Sequence, residues 1–155
     1  MARRKRRGAP APATAEPEPI TYIESSALVA AFMEADVAAQ QTIRAQGRRV
    51  TSALTLVEAH RALLRARGTG RVTADQERGA IRGLRTFARR CSLVAVSDEV
   101  LLRAGRPFPV EPIRPLDAIH LATVELLGEA PQLVTIVTRD ERVASNARAL
   151  GYAVA

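Results

Sequence analysis

Tryptophan is absent from this 155-residue chain, aromatic side chains make up 3% of it, and cysteine occurs once. So few aromatics argue against a base-stacking platform of the kind that grips single-stranded nucleic acid. The lone Cys91 cannot close an internal disulfide, and neither His60 nor His120 has a cysteine or histidine partner at zinc-finger spacing, so no structural zinc is expected. No apolar run approaches the ~20 residues of a spanning helix, and the positive N-terminus is not followed by the apolar segment of a secretory leader. A cytoplasmic protein with no membrane association is expected. Lysine is nearly missing too, since Lys5 is the only one and the other basic residues are all arginine.

What the chain does have is 47% hydrophobic residues, enough for one sizeable core and one domain. Its net charge of +7 favours a polyanionic partner, because arginines that neutralise phosphates release counterions. Arginines spread over solvated helix faces would give the same balance. Contacts to nucleic acid would be mainly arginine to phosphate.

Residues 1–19 join the basic run Arg3 to Arg7 to the stretch APAPATAEPEP, which has nothing to bury and several prolines to keep it extended. A disordered tail is expected there, either an electrostatic arm or a solubilising extension, with the folded domain over residues 20–155. From Ile20 the pattern turns regular. The run ITYI reads as a strand and Ser26 to about Arg44 as a helix. A strand near Arg49 to Ser52 leads into a helix that stops at Gly68-Thr69-Gly70, and a second helix returns from Thr73 to about Arg90. SLVAV reads as a strand, Asp98 to Gly105 as a helix, and Pro107 to Pro115 as a loop. Pro115 and Gly128 bracket another helix. LVTIVT, DERVASNARAL and YAVA close the chain as strand, helix and strand. Such alternation argues an α/β fold, a parallel central sheet with helices on both faces and a helical hairpin inserted.

Four carboxylates, Glu24, Glu58, Asp117 and Asp140, fall where an inferred strand ends or an inferred helix begins. In a parallel sheet those places share one edge, the edge at which open α/β sheets bind ligands. Singly, each acid has an ordinary explanation. Thr55 and Glu58 match a capping box, Glu58 could pair with Arg61, Asp117 suits the first turn of a helix, Asp140 suits an N-cap, and Glu24 could be a solvated acid. Jointly they make a cage for a hard divalent cation. Competing α/β chemistries lack their residues: a phospho-acceptor receiver needs a lysine by its acids, and a dehalogenase-like phosphatase needs Asp-x-Asp where this chain has Glu24-Ser25-Ser26. There is no phosphate loop, dinucleotide fingerprint or serine elbow.

The segments YIESSALVAAF, TSALTLVEAHRAL, RPLDAIHLATVELL and VTIVTRDERVASNARALGYAV resemble the PIN domain, in particular VapC-like toxin ribonucleases, from about Ile20 to the C-terminus. The resemblance implies a three-layer α/β/α PIN-like domain and a Mg2+- or Mn2+-dependent endoribonuclease. It further implies a protein that is commonly a homodimer and is neutralised by a cognate antitoxin. Carried over residue by residue, the metal and catalytic positions are Glu24, Glu58, Asp117 and Asp140, with Thr138 placed to hydrogen-bond a ligand carboxylate. His120 is read as a packing residue. One position departs from the family pattern: the first acid is usually aspartate and here it is Glu24. The extra methylene moves a carboxylate by roughly 1 Å, a displacement that can cost on the order of 10²-fold in rate. On the sequence alone, Glu24→Asp is therefore expected to retain or raise activity with Mg2+. The alternatives are a catalytically weak or silent PIN-like module that binds RNA or protein, a small-molecule phosphohydrolase, and DNA in place of RNA as the substrate.

Overall fold

The structure, a computed structural model, describes residues 18–44 and 47–155. Of the tail expected over residues 1–19, all but Glu18 and Pro19 lie outside the described residues. The strands are β1 (Ile20–Ile23), β2 (Arg48–Ser52), β3 (Ser92–Val94), β4 (Val134–Val137) and β5 (Ala153–Val154). The helices are α1 (Ser25–Met33), α2 (Val37–Thr42), α3 (Ala53–Gly68), α4 (Ala74–Ala88), α5 (Asp98–Ala104), α6 (Pro115–Glu125) and α7 (Glu141–Ala149). Among the described residues no helix is long and apolar enough to cross a membrane.

All paired strands run parallel, in the order β3-β2-β1-β4-β5. The central strand β1 reads as an unbroken apolar run because both of its faces are covered. Alternation divides its side chains. Tyr22, with Val50 and Ile136 from the flanking strands, packs against Val100 of α5, Leu121 and Val124 of α6, and Val143 of α7. Ile23 and Val137 face the other way, onto Leu28 of α1, Ala59 of α3, and Leu84 and Phe87 of α4. Three layers result, with α1–α4 on one side of the sheet and α5–α7 on the other. The hairpin α3–α4 carries its own small cluster of Leu63, Ala66, Val72 and Ala80.

The helix expected from Ser26 to about Arg44 is two helices. α1 ends at Met33, Ala35 takes a left-handed conformation (φ 54°), and Asp36 caps α2 by accepting from the Ala39 N–H at 2.9 Å. The aspartate competes for backbone donors better as a cap than inside a helix, and its other oxygen pairs with Arg139 Nε at 3.2 Å. The capping box expected at Thr55 and Glu58 is absent as well. α3 starts earlier, at Ala53, capped by Ser52, whose hydroxyl accepts from the Leu54 N–H, and this frees Glu58 to point elsewhere.

Candidate metal centre

Strand order reverses direction at β1: the chain goes from β1 to β2 and β3 on one side, then returns to β4 and β5 on the other. The crevice at such a reversal, outside the carboxyl ends of the strands, is where parallel sheets hold ligands. Glu24 follows β1 directly, and its N–H still donates to Val137 O of β4 at 3.0 Å. Thr138, Arg139 and Asp140 follow β4. Glu58 lies in the second turn of α3, after β2, and Asp117 in the first turn of α6.

Glu24 is 4% exposed, not the solvated acid that the strand end suggested. It is the N-cap of α1: its carboxylate accepts from the Ser26 N–H at 3.0 Å and from the hydroxyls of Ser25 and Ser26. Thr138 Oγ1 donates to the same carboxylate at 2.9 Å and accepts from the Asp140 N–H at 3.0 Å. The side chain thus folds back over its own helix start, and the reach of the extra methylene is taken up by four donors.

Glu58 Oε2 accepts a hydrogen bond of 2.6 Å from His120 Nε2, and Glu24 Oε1 stands 3.7 Å from the same nitrogen. On the other side of the ring, Tyr22 Oη lies 2.9 Å from His120 Nδ1. Burial first, and then the charge of Glu24, push the Tyr22 hydroxyl far above its ordinary pKa, outweighing hydrogen bonds from Thr123 and Ser52. A carboxylate can only accept, so the Nε2 proton faces Glu58, and the Tyr22 hydroxyl, which stays protonated, is placed to donate to Nδ1. Sequence reasoning read His120 as packing, and at 1% exposed it does pack. It also belongs to the site. The legible signal was its spacing: three residues after Asp117, it shares that residue's face of α6.

One ligand atom each from Glu24, Glu58 and His120 lies within 4.8 Å of the others. Asp117 and Asp140 are outside that triplet but act on it. Burial raises the Asp117 pKa, the charges of Asp140 and Glu24 raise it further, and Arg114 and His120 pull against them. Asp117 Oδ2 is buried with no hydrogen-bond partner among the described residues. Asp140 divides its carboxylate. Oδ1 caps α7 through the Arg142 N–H at 2.8 Å, while Oδ2 lies 3.9 Å from Arg142 and 4.0 Å from Arg114. An orphaned carboxylate oxygen, held among other carboxylates that disfavour its ionisation, is what a divalent cation relieves, and an oxygen-rich donor set suits a hard one. The residues fit such an ion.

The PIN domain profile matches residues 21–149. The chain belongs to the PIN domain family. Within that family it is similar to the ribonuclease VapC46 of Mycobacterium tuberculosis, with 37% identity over 136 residues, 86% of this chain and 94% of the relative. It is also 34% identical to the ribonuclease VapC35 of the same species over 137 residues, 86% and 93% of the two chains. Among solved structures it resembles VapBC2 from Rickettsia felis, bound to a DNA fragment from their promoter. The TM-score there is 0.60 at 11% identity, covering 88% of this chain and 97% of that one. It also resembles VapBC-1 from nontypeable Haemophilus influenzae, with a TM-score of 0.53 at 13% identity, covering 88% and 96%. These structures share the three-layer PIN fold with this chain.

Proposed function

We propose that this PIN domain is the endoribonuclease toxin of a type II toxin–antitoxin pair, and that it hydrolyses RNA phosphodiesters with Mg2+ or Mn2+. One observation carries the reading: Glu24 and Glu58, carboxylates from two separate segments, meet a buried histidine at the strand-order reversal, with an Asp117 oxygen beside them left unsatisfied. Glu24, Glu58, Asp117 and Asp140 are the residues to hold the ion. When bound, a divalent cation supplies the positive charge that lets a phosphodiester approach carboxylates and makes water more acidic.

The protein's own groups do the rest. Thr138, Ser25 and Ser26 fix the Glu24 carboxylate. His120 holds Glu58, and Tyr22 holds His120. Beside Glu58 opens a groove of about 660 Å³ whose lining includes Arg61, Arg65 and Arg139, three cations suited to RNA phosphates. Val57 and Leu116 expose 59% and 44% of their surface along it, which gives an antitoxin segment an apolar foothold next to the site it must block. The reading includes a homodimer, for which the exposed Leu101 and Leu102 of α5 offer an apolar face. Light scattering at about twice 16.7 kDa is the expected result.

The test is cleavage of a structured RNA by the purified full-length protein across a Mg2+ and Mn2+ titration. Products that appear with the ion, vanish with chelator and are absent for Asp117→Asn support the enzyme. RNA binding without cleavage under every ion would replace it with a silent binding module.

A further inference from the structure

A second cavity, lined by arginines and by no acid, lies at the opposite end of the strands from the carboxylates. Arg49 is second in β2, and alternation turns it away from Val50 and toward the α1–α4 side at the strand's N-terminal end. Arg82, Thr86 and Arg90 stand four residues apart and form one stripe along α4 and its C-terminal end, while Arg44 approaches from the turn after α2. Phe32, Ile43 and Phe87 supply an apolar floor. Gly83 completes it, because a Cβ there would fall 2.7 Å from the Phe32 ring and displace it. Its volume is about 420 Å³, toward the small end of the range for ligand pockets, and it is open to solvent on one side.

The charge in this cavity is unanswered. No acid lines it, and none of Arg44, Arg49, Arg82 and Arg90 pairs with a carboxylate among the described residues. The Arg49 Nε–H is buried with no hydrogen-bond partner among the described residues. Leaving a charged donor buried and unsatisfied is costly unless something completes it. Guanidinium groups bind phosphate oxygens in pairs of parallel hydrogen bonds, and several lining one cavity suit a phosphate dianion better than a lone carboxylate.

The geometry points to a nucleotide phosphoryl site in this cavity, with Arg49, Arg82 and Arg90 on the phosphate and the nucleoside against Phe32 and Phe87. The phosphoryl group can come from a free mononucleotide or from one nucleotide of an RNA strand. Either way, the site is on the far edge of the sheet from the carboxylates and stands independently of the proposed ribonuclease activity.

The experiment uses full-length Asp117→Asn protein in chelator, so that no metal-dependent contact at the acidic edge contributes. Calorimetry with inorganic phosphate and with adenosine monophosphate, and anisotropy with a labelled 5′-phosphorylated hexaribonucleotide, separate the sources. At least one nucleotide probe is expected to bind more tightly than phosphate, with affinity falling as salt rises. Arg82→Gln and Arg49→Met should each weaken that probe about tenfold, the loss of one charge-assisted contact. Arg148→Gln, on α7, serves as a control for general positive charge and should change it less than twofold. Binding of adenosine monophosphate identifies a free-nucleotide site, and binding of the oligonucleotide alone identifies an RNA contact. Absence of binding by all three probes at millimolar concentration overturns the inference, as does an Arg148→Gln effect equal to that of Arg82→Gln. Arg82 is exposed, so its variant tests the idea even if Arg49→Met fails to fold.

Discussion

The hydrogen-bonded line from Tyr22 through His120 to Glu58 makes a measurable demand on the core. Tyr22 and His120 are 0% and 1% exposed, and their contact joins residues 98 apart in sequence. Tyr22→Phe keeps the ring and removes the hydroxyl, leaving the buried Nδ1 without its partner at a cost of about 2 kcal/mol. In a chain of this length that lowers Tm by roughly 4–8 °C. Glu58→Gln keeps shape and replaces a charge-assisted hydrogen bond of 2.6 Å by a neutral one, a loss of about 1 kcal/mol. Without the tyrosine, the His120 proton is no longer fixed on Nε2, so Glu58→Gln should cost less in the Tyr22→Phe background. A double-mutant cycle on urea unfolding in chelator should give a coupling of about 1 kcal/mol, the double variant being more stable than the sum predicts. Additivity within about 0.3 kcal/mol would show that the tyrosine does not set the proton on Nε2.

Asp117→Asn should abolish RNA cleavage while raising Tm in chelator, because the variant removes a charge that burial, Asp140 and Glu24 all disfavour; a lower Tm would contradict that electrostatic reading. For Glu24→Asp the geometry reverses the expectation from sequence. An aspartate still caps α1 but falls a methylene short of Thr138 Oγ1, so metal affinity by calorimetry should drop severalfold, and an unchanged value would leave Thr138 without a part in holding the ligand. Burial pushes the Cys91 thiol up to about 11, against the pull of Arg49. At pH 8 its thiolate fraction is roughly a hundredfold below that of an ordinary thiol, and alkylation of native protein should be slower in proportion. The folded state holds this proton more tightly than the unfolded chain. The Cys91 contribution is therefore fully present below the ordinary thiol range and is lost as pH rises toward 11, a loss absent from Cys91→Ala.

The strands and helices were legible because apolar runs and stop signals act locally: ITYI, the Gly68-Thr69-Gly70 stop after α3 and Pro115 at the start of α6 need no distant partner. Asp36 misled for the opposite reason. Its capping of α2 is local, but the break is also tied by Arg139, 103 residues away. The positions of the four acids follow from alternation of strand and helix, whereas the inclusion of His120 depends on Tyr22 from the central strand and Glu58 from α3. The basic cavity was invisible to pattern reading, because α1, the turn after α2, β2, and α4 with the turn after it each contribute only one to five of its residues.

Glu24 has two employments, as the cap of α1 and as a member of the acidic cluster, while the buried Asp117 Oδ2 has no hydrogen-bond partner among the described residues. The two sites are therefore unequal under natural selection. A lineage escaping a harmful activity could discard Asp117 and keep a sounder fold, but replacing Glu24 by a residue that cannot cap would loosen the first helix along with the chemistry. Decayed copies of such a gene that still make folded protein should carry their lesions at 117 far more often than at 24.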